Sequence, residues 1–126
     1  MSISYEIIPE KHLVVNTVRG RFDFARYQDL MERILEDPQF VPSMHMLWDF
    51  TGSTLIDLSN DDFASIKSYI QKNAERRGSG YRAVFLVSKE VDFGLSRMYQ
   101  MISEDLPVSF EVFRDRDKAM AWITNG

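Results

Sequence analysis

The side chains in this sequence that could do chemistry are few, and most of them are carboxylates. Asp49, Asp57, Asp61, Asp62, Glu90, Asp92, Asp115 and Asp117 fall in segments that follow predicted strands. Clustered carboxylates can hold Mg²⁺ or Ca²⁺, but their spacing matches no metal-binding loop. They are expected to cap helices or to face solvent, and no metal is expected. His12 and His45 are the only histidines. A hydrolytic triad needs serine, histidine and carboxylate to meet. His12 falls in a predicted turn and should be exposed; His45 lies between Met44 and Met46 in a predicted strand, as a buried, hydrogen-bonded imidazole. Neither sits in a strand-to-helix loop. Cysteine is absent, which excludes thiol catalysis, disulfides and cysteine metal sites. No glycine-rich phosphate loop appears, and an acidic rim lacks the positive field that phosphate needs. No catalytic constellation is present, so neither an enzyme nor a cofactor is expected.

Three further features are candidates for binding or regulation. Ser59 precedes Asn60, Asp61 and Asp62 just ahead of a helical stripe, where a serine either caps the helix or accepts a phosphate. Gly94 to Tyr99 reads as the opening of another helix, with Gly94 permitting close approach or a left-handed turn. Arg97, one turn in, opposes the helix dipole; it is either a solvated cation or one that pairs with a rim carboxylate, such as Asp49 or Asp57, or contacts a partner. Asp49, Asp57, Gly94 and Arg97 thus form the candidate partner-facing rim. The methionines are mostly core filler, and they also keep a small apolar pocket in view.

The elements that position these residues follow from periodicity. Ile3, Tyr5 and Ile7 alternate with polar neighbours, Leu13 to Val18 is apolar and β-branched, and Pro9 to His12 turns between them, predicting an antiparallel hairpin. After Gly20, helix and strand alternate. Phe24, Tyr27, Leu30, Met31 and Ile34 trace a helix capped by Asp23, and Met44 to Phe50 is a strand apolar on both faces. Phe63, Ile66, Tyr69, Ile70 and Ala74 trace a second helix, ended by Gly78 and Gly80. Ala83 to Val87 and Phe110 to Phe113 are strands separated by the helical stripe Leu95, Met98, Tyr99 and Ile102. A short fourth helix carries Ala119, Trp122 and Ile123. The expected fold is one α/β domain over residues 1–126. Its mixed sheet has about five strands, an opening hairpin and then β-α repeats with right-handed crossovers.

The run Asp49-Phe-Thr-Gly-Ser-Thr-Leu-Ile-Asp-Leu-Ser59 resembles the signature of STAS domains, the sulphate-transporter and anti-sigma-factor-antagonist group. Arg82-Ala-Val, Phe93-Gly-Leu-Ser-Arg-Met-Tyr99, Val112-Phe-Arg-Asp115, Ala119 and Trp122 resemble a bacterial group of small stand-alone SpoIIAA-like proteins. The resemblance implies the fold just described and a non-catalytic regulatory or interaction domain. In the anti-sigma-factor antagonists a serine at the helix start is phosphorylated, which maps onto Ser59. Leu58 and Asn60 depart from that motif, standing where it has serine and glycine.

Net charge −4 disfavours nucleic acid and anionic membrane as principal partners. No apolar run approaches the ~20 residues that span a bilayer, and the first residues lack a signal-peptide pattern, so a cytoplasmic location is expected. The expected partner is another protein; the alternative is a small apolar, lipid-like ligand. Strand positions such as Asn16, Thr17, Ser109 and Glu111 should leave a mixed open sheet surface suited to a weak homodimer.

Overall fold

The computed structural model describes residues 2–102 and 104–125, the side chain of Ile102 excepted. Its elements in chain order are β1 (Ser2–Ile8), a 3₁₀ turn (Pro9–Lys11), β2 (Leu13–Gly20), α1 (Phe24–Glu36), β3 (His45–Ser53), α2 (Asn60–Lys72), α3 (Ala74–Arg77), β4 (Tyr81–Leu86), α4 (Glu90–Ile102), β5 (Val108–Phe113) and α5 (Arg116–Thr124). The strands lie side by side in sequence order. β1 pairs antiparallel with β2, and every later pair is parallel.

Sequential order decides where the helices go. Right-handed crossovers between neighbouring parallel strands all return over the same face. Helices α1, α2 and α4 accordingly share the main core with Val14, Val18, Met46, Trp48, Phe50 and Phe85. The alternate strand positions, Leu13, Leu47, Val84 and Leu86, face the other way and pack against Ala119 and Ile123 of α5. One helix cannot span five strands, so on that side the β1–β2 end carries exposed Ser4 and Glu6 and half-buried Val15 and Thr17. Asn16, expected among the polar surface positions, is instead fully buried. It shares a face with Val14 and Val18, as period two requires.

Caps set several helix starts. Asp23 accepts from the Arg26 amide at 3.0 Å, and Asp115 accepts from the Lys118 amide at 3.0 Å. The second predicted helix breaks at Asn73, whose side chain donates to the Tyr69 carbonyl at 2.9 Å; the short α3 then stops at Gly78. Helix α4 begins at Glu90, so Gly94 is a mid-helix residue and not an opening turn. An added Cβ there would meet nothing within 4 Å. Gly94→Ala is therefore expected to raise stability by about 0.5–1 kcal/mol by restricting the unfolded chain. A loss in urea unfolding would contradict it. No described helix is long and apolar enough to cross a membrane.

Candidate functional site

The sheet face under α1, α2 and α4 is dense in aromatic rings. Trp48 stacks on Tyr27 at a centroid distance of 5.5 Å, and Phe85 stacks on Tyr99 at 5.4 Å. Large rigid rings leave gaps that smaller side chains do not fill. Between the sheet and these helices lies a cavity of about 50 Å³. Strand β3 contributes Met46 and Trp48 to it, β4 Tyr81 and Phe85, and β5 Val108 and Phe110. Tyr27 and Met31 come from α1, Ile66 and Tyr69 from α2, and Tyr99 from α4.

Among the described residues that line this cavity, one is charged. Arg77 is 3% exposed, and neither Nη1 nor Nη2 has a hydrogen-bond partner among the described residues. Its guanidinium lies over the Tyr81 ring at 3.5 Å, with the Phe40 ring at 5.7 Å. Burial pushes its pKa below the ordinary arginine value, and the phenols of Tyr81 and Tyr27 act slightly against that shift. Burial also raises the phenols of Tyr27 and Tyr81, which stay protonated at neutral pH. Tyr69 is raised by burial and by donating its hydroxyl to the Glu32 carboxylate.

A backbone clasp places Arg77. Ser43, itself at φ 72°, donates its amide to the Arg77 carbonyl at 2.7 Å. Its hydroxyl donates to the Ser79 carbonyl at 2.9 Å and accepts from the Ser79 amide at 3.2 Å. Gly78, at φ 88° and ψ −175°, makes the turn between them. The site thus offers apolar walls, protonated phenols and one cation without an acceptor.

The residues singled out in the sequence lie elsewhere. Asp49, in the middle of β3, accepts from the Thr51 hydroxyl at 2.6 Å and amide at 2.9 Å, and from Arg116 at 2.6 Å. Burial alone would raise its pKa, but the Thr51 bonds and Arg116 outweigh it and hold the carboxyl below its usual value. Its partner is therefore Arg116 of α5 and not Arg97. Arg97 lies on the other side of the sheet, 4.0 Å from Glu111, and donates to Gln100 at 3.1 Å. Asp57 is exposed in the loop before α2. Asp92 is fully buried and accepts from the Thr54 hydroxyl and the Leu55 amide, both at 2.8 Å, tying that loop to α4. The proposed rim is not brought together as a unit.

His45 is half-buried and accepts from the Arg82 amide through Nδ1 at 2.9 Å. Burial, then the nearby His12 at 5.7 Å between ring centroids, lowers its pKa. His12 is half-buried beside it, not exposed, in a left-handed conformation at φ 53°. Among the described residues no group of three or more histidines and carboxylates could hold a metal.

Ser59 occupies the N-cap of α2. Its hydroxyl accepts from the Asp62 amide at 3.0 Å, and the Asp62 carboxylate accepts from the Ser59 amide at 3.0 Å. Asp62 also accepts from the Phe24 amide at 3.2 Å, so the cap joins two helix starts. Ser59→Ala is expected to cost about 1 kcal/mol, as loss of a cap does. Ser59→Asn should recover most of it. Ser59→Asp should recover less, because its carboxylate would face that of Asp62. Chemical denaturation of the three variants checks this; an alanine variant as stable as the parent would refute the cap.

Sequence reasoning missed Arg77 as a site residue, because Lys72, Arg76 and Arg77 together look like ordinary cations at a helix end. The useful signal was the set of methionines and aromatics on one face.

No family model and no curated protein matches the chain. Among solved structures, it is similar to an uncharacterized protein of the DUF3478 family with a SpoIIAA-like fold from Shewanella loihica PV-4. The two share 19% identity over 97% of this chain and 92% of that one, with a TM-score of 0.62.

Proposed function

From the premise of a SpoIIAA-like fold with an aromatic cavity under its helices, we propose that the domain binds a small apolar molecule in that cavity. The carrying observation is the cavity itself: about 50 Å³ lined by Met31, Met46, Trp48, Tyr27, Phe85 and other largely apolar side chains. Ligand sites are typically concave and apolar with a few placed polar groups. The volume exceeds the roughly 10–15 Å³ needed for one water and falls short of the roughly 150 Å³ that admits benzene. The ligand is therefore small, or it enters by displacing the unbranched side chains of Met31 and Met46.

Xenon under pressure tests whether the cavity takes an apolar guest, read by ¹³C-methyl methionine NMR. The Met31 and Met46 methyls should shift, while exposed Met98 and Met101 serve as controls. Shifts confined to the exposed methionines would overturn the proposal. Native mass spectrometry of protein purified from its own cells would then identify the natural occupant.

A second reading, a protein-interaction domain, draws on a separate observation. Val91, Met98 and Met101 are 46%, 50% and 70% exposed along one side of α4, and Ile56 is 62% exposed in the loop that Asp92 ties to that helix. Ser59 lies three residues beyond Ile56, so a phosphate there would alter the charge beside this stripe. A weak homodimer through α4 fits its apolar character better than one through the polar β1–β2 surface. Sedimentation velocity over a concentration series tests it: Met98→Glu with Met101→Glu should abolish any dimer. A monomer at every concentration in the parent would exclude it.

A further inference from the structure

The unpaired cation in the cavity wall specifies the ligand further. A guanidinium carries five N–H donors and cannot shed its charge at neutral pH. In an apolar wall such a charge is costly unless something pairs with it. Arg77 is 3% exposed, and among the described residues neither Nη group has an acceptor. Stacking on Tyr81 at 3.5 Å uses the face of the guanidinium and leaves its edge, where the donors lie. The neighbouring polar groups do not fill the role. Asn73 spends its amide on the Tyr69 carbonyl and on Arg76, and Glu32 is engaged by Tyr69 and Arg76. The phenols of Tyr27 and Tyr81 are held protonated and supply no negative charge.

We propose that the natural ligand is a small organic acid whose carboxylate pairs with the edge of Arg77 while its apolar body lies against Met31, Met46, Trp48 and Phe85. A planar carboxylate matches the guanidinium fork with two parallel bonds. A phosphate is less suited, because one cation in apolar walls cannot satisfy a tetrahedral dianion. An amine would meet a like charge. This inference rests on the cavity being a ligand site and adds the charge and chemical class of what it takes.

Butyrate and its neutral counterpart butyramide separate the two ideas. Both are titrated at pH 7 into ¹³C-methyl methionine protein, with Met31 and Met46 as reporters. Butyrate is expected to bind at least ~10-fold tighter than butyramide, a margin in keeping with one charge-assisted bidentate pair. In Arg77→Met that preference should disappear while butyramide binding persists. Butyramide binding as tightly as butyrate in the parent would overturn the acid assignment and leave the apolar site standing. The same holds if Arg77→Met keeps its preference for butyrate. Binding of neither compound to protein whose Met31 and Met46 methyls respond to xenon would overturn the acid assignment and leave the apolar site standing, whereas no response to xenon or to either compound would overturn both. The comparison of the two compounds in the parent protein needs no variant, so it decides even if Arg77→Met folds poorly.

Discussion

Alanine at position 78 is expected to destabilise the domain by about 4 kcal/mol, from backbone strain and a steric clash together. Gly78 sits at φ 88° and ψ −175°, a region in which a Cβ meets its own backbone, and occupying it with a side chain costs about 1–3 kcal/mol. An alanine Cβ would also overlap the hydroxyl and amide nitrogen of Ser43 and lie 2.9 Å from its Cα. These are mainly backbone atoms, so no rotamer change relieves the overlap. Relief requires moving residue 43, which breaks its bonds to the Arg77 carbonyl and to Ser79. Leaving such groups unsatisfied costs about 1–3 kcal/mol each. Against a total of roughly 5–15 kcal/mol for a domain, the loss is large.

Gly80→Ala supplies the control. Gly80 is also left-handed, at φ 71°, but nothing lies within 4 Å of its added Cβ. It should cost only the conformational part, about 1 kcal/mol. Urea unfolding with an unchanged slope checks both. Equal losses in the two variants would show that the Ser43 clasp contributes nothing.

Arg77→Met should work in the opposite direction and raise the stability of the ligand-free domain by about 1–2 kcal/mol. The effective penalty for an unpaired buried ion is several kcal/mol, offset here by a cation–π contact worth about 2 kcal/mol. Methionine keeps much of the side chain's volume and its contact with Phe40 and Tyr81 while removing the charge. A binding residue that opposes stability is a common trade in functional sites. The thermal midpoint should rise by several degrees. A fall of more than about 1 kcal/mol would mean that stacking on Tyr81 outweighs desolvation, and that Arg77 is there for packing.

Read together, the two variants separate the clasp from the charge it places. Gly78 holds a backbone geometry that only glycine accepts. Arg77 spends stability at the site this geometry creates. If both results hold, residues 43 and 77–79 act as a built support for a cation, and not as an ordinary helix end.

What the chain settles by itself is local. The opening hairpin, the strand-helix alternation and the caps at Asp23 and Ser59 were legible because each depends on neighbours within a few residues. Period two put Ile3, Tyr5 and Ile7 on one face, and a serine three residues before Asp62 makes a reciprocal cap wherever the helix lies. Errors entered where one residue type has two uses. Gly94 read as a helix start, yet it is an exposed interior position of α4. Asn16 read as a surface residue because it is polar, although its spacing from Val14 and Val18 placed it inside. The rest was decided by tertiary structure. Asp49 meets Arg116 across 67 positions, Arg82 reaches the carbonyl of Trp122, and Arg77 meets a cavity walled by residues from Phe22 to Phe110. Periodicity tells which side of an element is apolar. Which groups then meet, and which cation is left without an acceptor, depends on how the sheet and its helices close on one another.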